Sequence, residues 1–138
     1  MRFMVIVKAS RNCEAGVEPS GQFLAEMDKY NEALAKAGIL LEMVRLHPSS
    51  KGARVRFSGT ERAVIDGPFA ETKEIIGGFW VWQVRSKEEA IDWVKRCPLP
   101  HNEGGEIEIR EVVEAPELAQ NDEILRKDTG LRAKRAKR

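Results

Sequence analysis

The sequence predicts an α+β domain, in which two amphipathic helices cover one face of an antiparallel sheet. Apolar segments of strand length alternate with two segments whose apolar side chains recur every three or four residues, a spacing typical of amphipathic helices. Glycine and proline separate most of these segments. A chain of 138 residues, with 42% hydrophobic and 33% charged residues, has the size and composition of one globular domain with a short extension.

The first half of the chain is predicted to form a strand, a helix and a second strand. Ser20 is a typical N-cap residue, and Gly38 stands where a C′ glycine ends a helix. The segment that follows the second strand is polar and contains Pro48. The predicted elements are a strand at residues 3–8, a polar loop at 9–19, a helix at 20–37 and a strand at 39–46.

The second half is predicted to contain a hairpin, a strand, a helix and a last strand. Gly59 lies in the hairpin loop, and Ser86 and Pro98 mark the two ends of the helix. Four successive apolar residues at 79–82 indicate a strand that is covered on both faces. The predicted elements are hairpin strands at residues 54–57 and 63–66, a strand at 78–84, a helix at 87–96 and a strand at 106–113.

With the hairpin taken as an insertion, the elements follow the order β-α-β-β-α-β. This is the split βαβ, or ferredoxin-like, arrangement, with both helices on one face of the sheet. The apolar surface of strand 78–84, with Trp80 and Trp82 on one face, exceeds what two helices can cover. Because two-fold dimers are the commonest oligomers, we expect a homodimer in which a second copy covers the open face.

Composition argues against several classes of protein. The net charge of +1 predicts no strong nucleic-acid partner, and no apolar run approaches the roughly 18–20 residues that span a bilayer. Cys13 and Cys97 lack the spacing of a metal or redox pair, so we expect free thiols in a cytoplasmic protein. No motif indicates a cofactor or a metal.

Residues 117–138 are predicted to form a C-terminal extension outside the domain at residues 1–116. Residues 117–129 have the pattern of a short amphipathic helix. Residues 131–138 carry five basic side chains and no acidic one. Such a segment is usually a solvated terminus, and contact with nucleic acid is the alternative.

The segment DGPFAETKE at residues 66–74 directly follows a predicted strand. Gly67 tolerates positive φ and Pro68 fixes its own φ, so the pair predicts a tight turn. The turn places Asp66 at the end of a strand and is followed by Glu71 and Lys73. A polar cluster at a rigid strand end is typical of a functional site, although a solvated loop has the same composition.

Asp66 is the first candidate catalytic residue, as a general acid or base. The alternative is an Asx-type turn, in which its carboxylate accepts backbone N–H groups. His47 is its candidate partner because it could titrate near neutral pH, or it could instead pack against Pro48. His101 lies in a polar loop and is not assigned a role.

Arg54 and Arg56 are candidate ligand-binding residues, since they share one face of a hairpin strand. Facing a cleft they would hold a carboxylate or phosphate; facing water they would only protect an edge strand. Phe69, Glu71 and Lys73 complete the candidate binding set. Lys73 could hold an anion near Asp66 or form a surface ion pair with its acidic neighbours.

Several segments of this chain resemble the DGPF group of the YCII-related family. The match extends over about residues 1–115 and is most specific at the nine-residue DGPF segment. The resemblance implies a dimeric α+β barrel with a ferredoxin-like protomer. The segments that carry it are HPSSKGARV at 47–55, DGPFAETKE at 66–74, GGFW at 77–80, RCP at 96–98 and EIEIR at 106–110.

The residues and the resemblance leave two classes of function, beside a structural role with no ligand. A His–Asp pair recurs in parts of the family and suggests an acid–base enzyme. It would act on a small polar or carboxylated metabolite, using Asp66 with His47 or Lys73 in a pocket at the dimer edge. Some members are encoded beside extracytoplasmic-function sigma factors, which suggests a non-catalytic ligand-binding or regulatory module. The shorter relatives carry a histidine at the start of the first helix, where this chain has SGQF at residues 20–23. Their acid–base pair therefore does not transfer whole.

Overall fold

The computed structural model describes residues 1–98 and 105–115. Two short 3-10 helices, Ser49–Lys51 and Thr72–Glu74, lie in the connections around the hairpin. The helices of the described residues are α1 (Arg11–Glu14), α2 (Gly21–Lys36) and α3 (Lys87–Val94). The strands are β1 (Arg2–Lys8), β2 (Leu40–Arg45), β3 (Ala53–Ser58), β4 (Glu61–Asp66), β5 (Ile76–Gln83) and β6 (Ile107–Glu111).

Four strands form one antiparallel sheet in the order β2-β5-β1-β6, and β3 and β4 form a separate two-stranded sheet. The two central strands, β1 and β5, are the first strand and the strand after the hairpin. This order is the one expected of a ferredoxin-like arrangement with an inserted hairpin. The predicted α+β class is confirmed.

The hydrophobic core lies between the sheet and helices α2 and α3. Trp80 and Trp82 project from β5 towards the helices, with Leu34 of α2 and Ala90 of α3 fully buried against the sheet. Each large side chain buried in this way stabilises the fold by about 1.5–3 kcal/mol. The indole N–H of Trp80 donates to Oδ1 of Asn31 (2.9 Å), so that helix α2 is also fixed to the sheet by a polar contact.

Helix ends lie close to where the sequence predicts them. The Ser20 hydroxyl accepts from the Phe23 amide, and the Ser86 hydroxyl accepts from the Glu89 amide, each at 3.1 Å. Gly38 follows the C-cap of α2 with a φ of +73°. Capping thus satisfies amide groups at both N-termini that have no partner within the helix.

No helix covers the other face of the sheet within the described part of the chain. Phe79 and Val81 of β5 point to this open face, beside Met4, Ile6 and Val44 of the neighbouring strands. None of the five belongs to the core cluster, and all but Ile6 are half-exposed. In one copy of the chain, therefore, β5 is fully covered only on its helix-facing side.

Two local predictions were wrong. Residues 9–19 are not entirely loop, because the Ser10 hydroxyl accepts from the Cys13 amide (3.0 Å) and begins the short helix α1. The hairpin loop is also shorter than predicted. Ser58 pairs with Glu61, and Gly59 takes a φ of +58°, so the connection is a two-residue turn.

Several predictions concern residues outside the described part. His101 and the extension 117–138 lie there. Among the described residues, no helix is long and apolar enough to cross a membrane. Cys13 and Cys97 are both free thiols, as the sequence predicts.

Candidate functional site

The candidate site lies at the base of the β3–β4 hairpin. The Gly67 amide donates to the Gly52 carbonyl (3.0 Å), directly after the Ala53–Asp66 pair that closes the hairpin. The 3-10 helix Ser49–Lys51, which leads from β2 into β3, lies against this closure. The strand-two exit and the DGPF turn therefore form one unit.

Gly67 is required by close packing and not by positive φ, which corrects the prediction from sequence. The Gly67–Pro68 peptide bond is cis, and Gly67 is not among the glycines with positive φ. A Cβ at this position would overlap the carbonyl oxygen of Ser49 and lie 2.6 Å from its carbonyl carbon. Only glycine lets the turn approach the strand-two exit this closely.

Ser49 joins the turn to helix α1 and was not identified from the sequence. Ser49 is buried, with 8% of the residue surface exposed. Its amide donates to Oε2 of Glu14 (2.8 Å), and its hydroxyl donates to Oε1 of the same carboxylate. The Phe69 amide in turn donates to the Ser49 hydroxyl oxygen (3.0 Å). Glu14 is 35 residues from Ser49, so no local pattern could indicate the contact.

The guanidinium of Arg54 lies over the ring of Phe69, with its Cζ 3.8 Å from the ring centroid. The structure thus brings together two of the predicted binding residues. Arg56 follows on the same face of β3, and both arginines are exposed. Within the described residues, no carboxylate forms an ion pair with either guanidinium. The edges of the Arg54 group are therefore available to an anion.

Asp66 is not part of this arrangement. It pairs with Ala53, whereas Arg54 pairs with Ile65, so the Asp66 side chain leaves the opposite face of the hairpin. It is exposed. In the described part of the chain its carboxylate makes no hydrogen bond, neither to His47 nor to a backbone amide of the turn.

His47, Glu71 and Lys73 are exposed, and no ion pair links Lys73 to an acidic side chain of the described residues. An acid–base pair of Asp66 with His47 or Lys73 stays a prediction. Within residues 1–98 and 105–115, no cluster of three or more His, Cys, Asp or Glu side chains could hold a metal ion.

Comparison with known proteins identifies the family. The model of the YCII-related domain matches residues 1–116. The chain belongs to the YCII-related family. It is also similar to an uncharacterized protein of Rhizobium meliloti (strain 1021), with 32% identity over 93 residues, which is 67% of this chain and 75% of the relative.

The match spans every element of this YCII-related domain, including the hairpin and its base. A planar guanidinium fixed on an aromatic ring can still donate two parallel hydrogen bonds from its edge to a carboxylate or phosphate. This is the chemical capacity that the geometry provides. It requires neither a metal nor a proton transfer.

Proposed function

We propose that this protein is a DGPF-group member of the family that binds a small anionic metabolite, carrying a carboxylate or phosphate, at Arg54 and Phe69. The observation that carries the proposal is the stacked guanidinium of Arg54, which no carboxylate of the described residues neutralises. Arg62, which also lies over an aromatic ring, differs because its Nη1 donates to the Gly59 and Glu61 carbonyls. The Arg54 guanidinium makes no hydrogen bond within the described residues.

Three features of the site favour anion binding. The Phe69 ring restricts the rotamers of Arg54, so less side-chain entropy is lost when the ligand binds. Arg56, on the same face, adds a second positive charge, which attracts an anion before contact is made. Lys73, in the connection that follows Phe69, supplies a third cation close in sequence.

We also infer that the protein acts as a homodimer, with the open sheet faces of two copies in contact, as in a dimeric α+β barrel. The apolar side chains of that face support this, as does the hairpin. Val55, Phe57 and Val64 of the hairpin are 50%, 68% and 68% exposed. An isolated two-stranded hairpin is only marginally stable in water. Packing of a second copy on these side chains would stabilise the hairpin from the face opposite Arg54.

Binding is favoured over acid–base catalysis by the positions of the polar residues. Asp66 lies on the other face of the hairpin from Arg54, and it is exposed in the single chain. A catalytic carboxylate usually needs a less polar environment to tune its proton affinity. The partner copy would have to supply that environment. Free thiols at Cys13 and Cys97 fit a cytoplasmic protein.

Isothermal titration calorimetry with malonate and with inorganic phosphate tests the proposal. Arg54→Ala should weaken binding by about 10- to 100-fold, the effect of losing charge-assisted hydrogen bonds. Arg54→Lys should also weaken it, because lysine keeps the charge but cannot offer two parallel donors. Phe69→Leu should have a smaller effect of the same sign.

Arg62→Ala is the matched control. Arg62 also lies over an aromatic ring, that of Phe57, with its Cζ 4.6 Å from the centroid, but on the opposite face of the hairpin. Its removal changes the net charge equally and should leave affinity within about twofold, since an exposed charge at a distance is screened by salt. Equal binding by Arg54→Ala and the wild type would refute the proposal.

A further inference from the structure

We propose that Glu14 is a positioning residue for the Arg54–Phe69 site. Its carboxylate accepts a hydrogen bond from the Ser49 hydroxyl, and the oxygen of this hydroxyl accepts one from the Phe69 amide. The Phe69 ring in turn packs against the Arg54 guanidinium. The inference rests on the anion-binding function proposed above and deepens it. It assigns a role in ligand binding to an acidic residue from a different part of the chain.

The directions of the hydrogen bonds at Ser49 support this role for Glu14. A serine hydroxyl has a single proton to donate. Because that proton points to Oε1 of Glu14, the oxygen lone pairs remain to accept the Phe69 amide at 3.0 Å. The second carboxylate oxygen holds the Ser49 amide at 2.8 Å, so the backbone and the hydroxyl of Ser49 are fixed together.

The segment that contains Glu14 is itself tied to the far end of the DGPF connection. The Ala9 amide donates to the Ile75 carbonyl (2.8 Å), and Ser10 caps the helix that presents Glu14. Two contacts therefore hold the segment that contains Phe69. The Phe69 amide is bonded to Ser49, and Ile75, at the end of the connection, is bonded to Ala9. Loss of the Glu14 carboxylate would free Ser49, and with it Phe69, while the bond from Ala9 to Ile75 stays intact.

The direction in which anion affinity changes when the Glu14 charge is removed distinguishes positioning from electrostatic repulsion. By Coulomb's law, a carboxylate near an anion site weakens anion binding. Removal of its charge should therefore tighten binding if Glu14 acted only through its charge. Positioning predicts the opposite result, because the Phe69 ring would no longer hold Arg54 in its binding geometry.

Glu14→Gln is the decisive substitution, since glutamine keeps the shape but has one acceptor oxygen in place of two. Whichever way the glutamine amide is turned, its NH2 group faces one of the two Ser49 groups. It then faces either the hydroxyl, which loses its charged acceptor and must accept instead of donate, or the Ser49 amide, whose bond is lost. We expect malonate affinity to fall by about 2- to 10-fold, the effect of one hydrogen bond. Glu18→Gln is the control, because Glu18 is exposed on the same connection and its loss removes the same charge. It should leave affinity unchanged or slightly raised.

A second measurement needs no ligand. The Nε–Hε proton of Arg54 should be shifted in the NMR spectrum by the ring current of Phe69, and Phe69→Leu gives its unshifted position. Glu14→Gln and Ser49→Ala should both move the resonance towards that position, whereas Glu18→Gln should not. The Glu14→Gln, Ser49→Ala double variant should shift the Arg54 resonance little more than either single variant, because both changes break the same series of contacts.

The two proposals can fail separately. If the wild type binds neither malonate nor phosphate but Glu14→Gln still displaces the Arg54 resonance, the anion-binding function is wrong and positioning stands. If Arg54→Ala weakens binding as expected while Glu14→Gln keeps both the wild-type shift and equal or tighter affinity, positioning is wrong. Circular dichroism confirms that each variant is folded. Glu14→Asp, whose shorter side chain cannot reach both groups, replaces Glu14→Gln if that variant does not fold.

Discussion

Gly67 lies directly against the backbone carbonyl of Ser49, so closely that a Cβ would overlap the carbonyl oxygen. Gly67→Ala should therefore destabilise the protein by roughly 1–3 kcal/mol or more, the cost of forcing atoms into a filled space. Gly52→Ala is the matched control at the other side of the hairpin base. Its Cβ would stand 3.5 Å from the same oxygen, an ordinary contact, so a much smaller change is expected.

Urea unfolding of the two variants measures the difference. Equal unfolding free energies for Gly67→Ala and Gly52→Ala would show that the close approach does not constrain the turn. The comparison also separates close packing from positive φ, which the sequence suggested as the reason for glycine at this position.

Tyr30 fixes helix α2 to the end of helix α3. Its hydroxyl donates to the Trp93 carbonyl, and its ring packs edge-on against Trp80. Tyr30→Phe should cost about 0.5–1.5 kcal/mol, since the Trp93 carbonyl keeps a bond from the Arg96 amide. Tyr30→Leu removes the ring contacts as well and should cost more. Equal decreases in the thermal unfolding midpoint for the two substitutions would contradict the larger loss expected for Tyr30→Leu.

Cys97 should make stability depend on alkaline pH. Burial raises the pKa of the Cys97 thiol to about 11, whereas an unfolded thiol has a pKa of about 8.5. Below the unfolded value both states are protonated, and the contribution is fully present. As pH rises from about 8.5 towards 11, the unfolded state alone loses its proton, so stability falls.

Urea midpoints of the wild type and Cys97→Ala, measured with reductant at several values between pH 8 and pH 10.5, test this. The wild type should lose stability more steeply than the variant over this window. Parallel curves would show that the thiol is not held protonated by the fold.

The open sheet face should mediate dimerisation. Val81→Glu places a charge at its centre, next to Met4 in the sheet register, and should give a monomer in sedimentation velocity at micromolar concentration. Leu24→Glu alters a side chain of α2 that is 40% exposed and should leave the dimer intact. A monomeric wild type with a stable fold would contradict the dimer.

The main elements follow from local patterns, because caps and periodicity are properties of neighbouring residues. Ser20 and Gly38 bound α2 for this reason, and Ser86 begins α3. The hairpin register could not be obtained in the same way. Strands at 54–57 and 63–66 would set Arg54 opposite Asp66, but the two-residue turn pairs Asp66 with Ala53.

A register shift of one residue moves a side chain to the other face of the strand. It is the reason that the predicted site is divided, with Arg54 on one face and Asp66 on the other. The contact of Glu14 with Ser49 is equally beyond local patterns, since it depends on where β1 and β2 end in the folded sheet. The contact of Arg54 with Phe69 depends on the conformation of the turn after β4, which local sequence patterns do not determine.

NMR titration of the wild type with malonate, followed by the arginine Nε–Hε resonances, tests the anion site most directly. We expect the resonance of Arg54 and the amide of Phe69 to shift together and to saturate. The Nε–Hε resonance of Arg62, which lies over Phe57 on the opposite face of the hairpin, should stay in place. An unmoved Arg54 resonance, or equal shifts at Arg54 and Arg62, would contradict a specific anion site at the base of the hairpin.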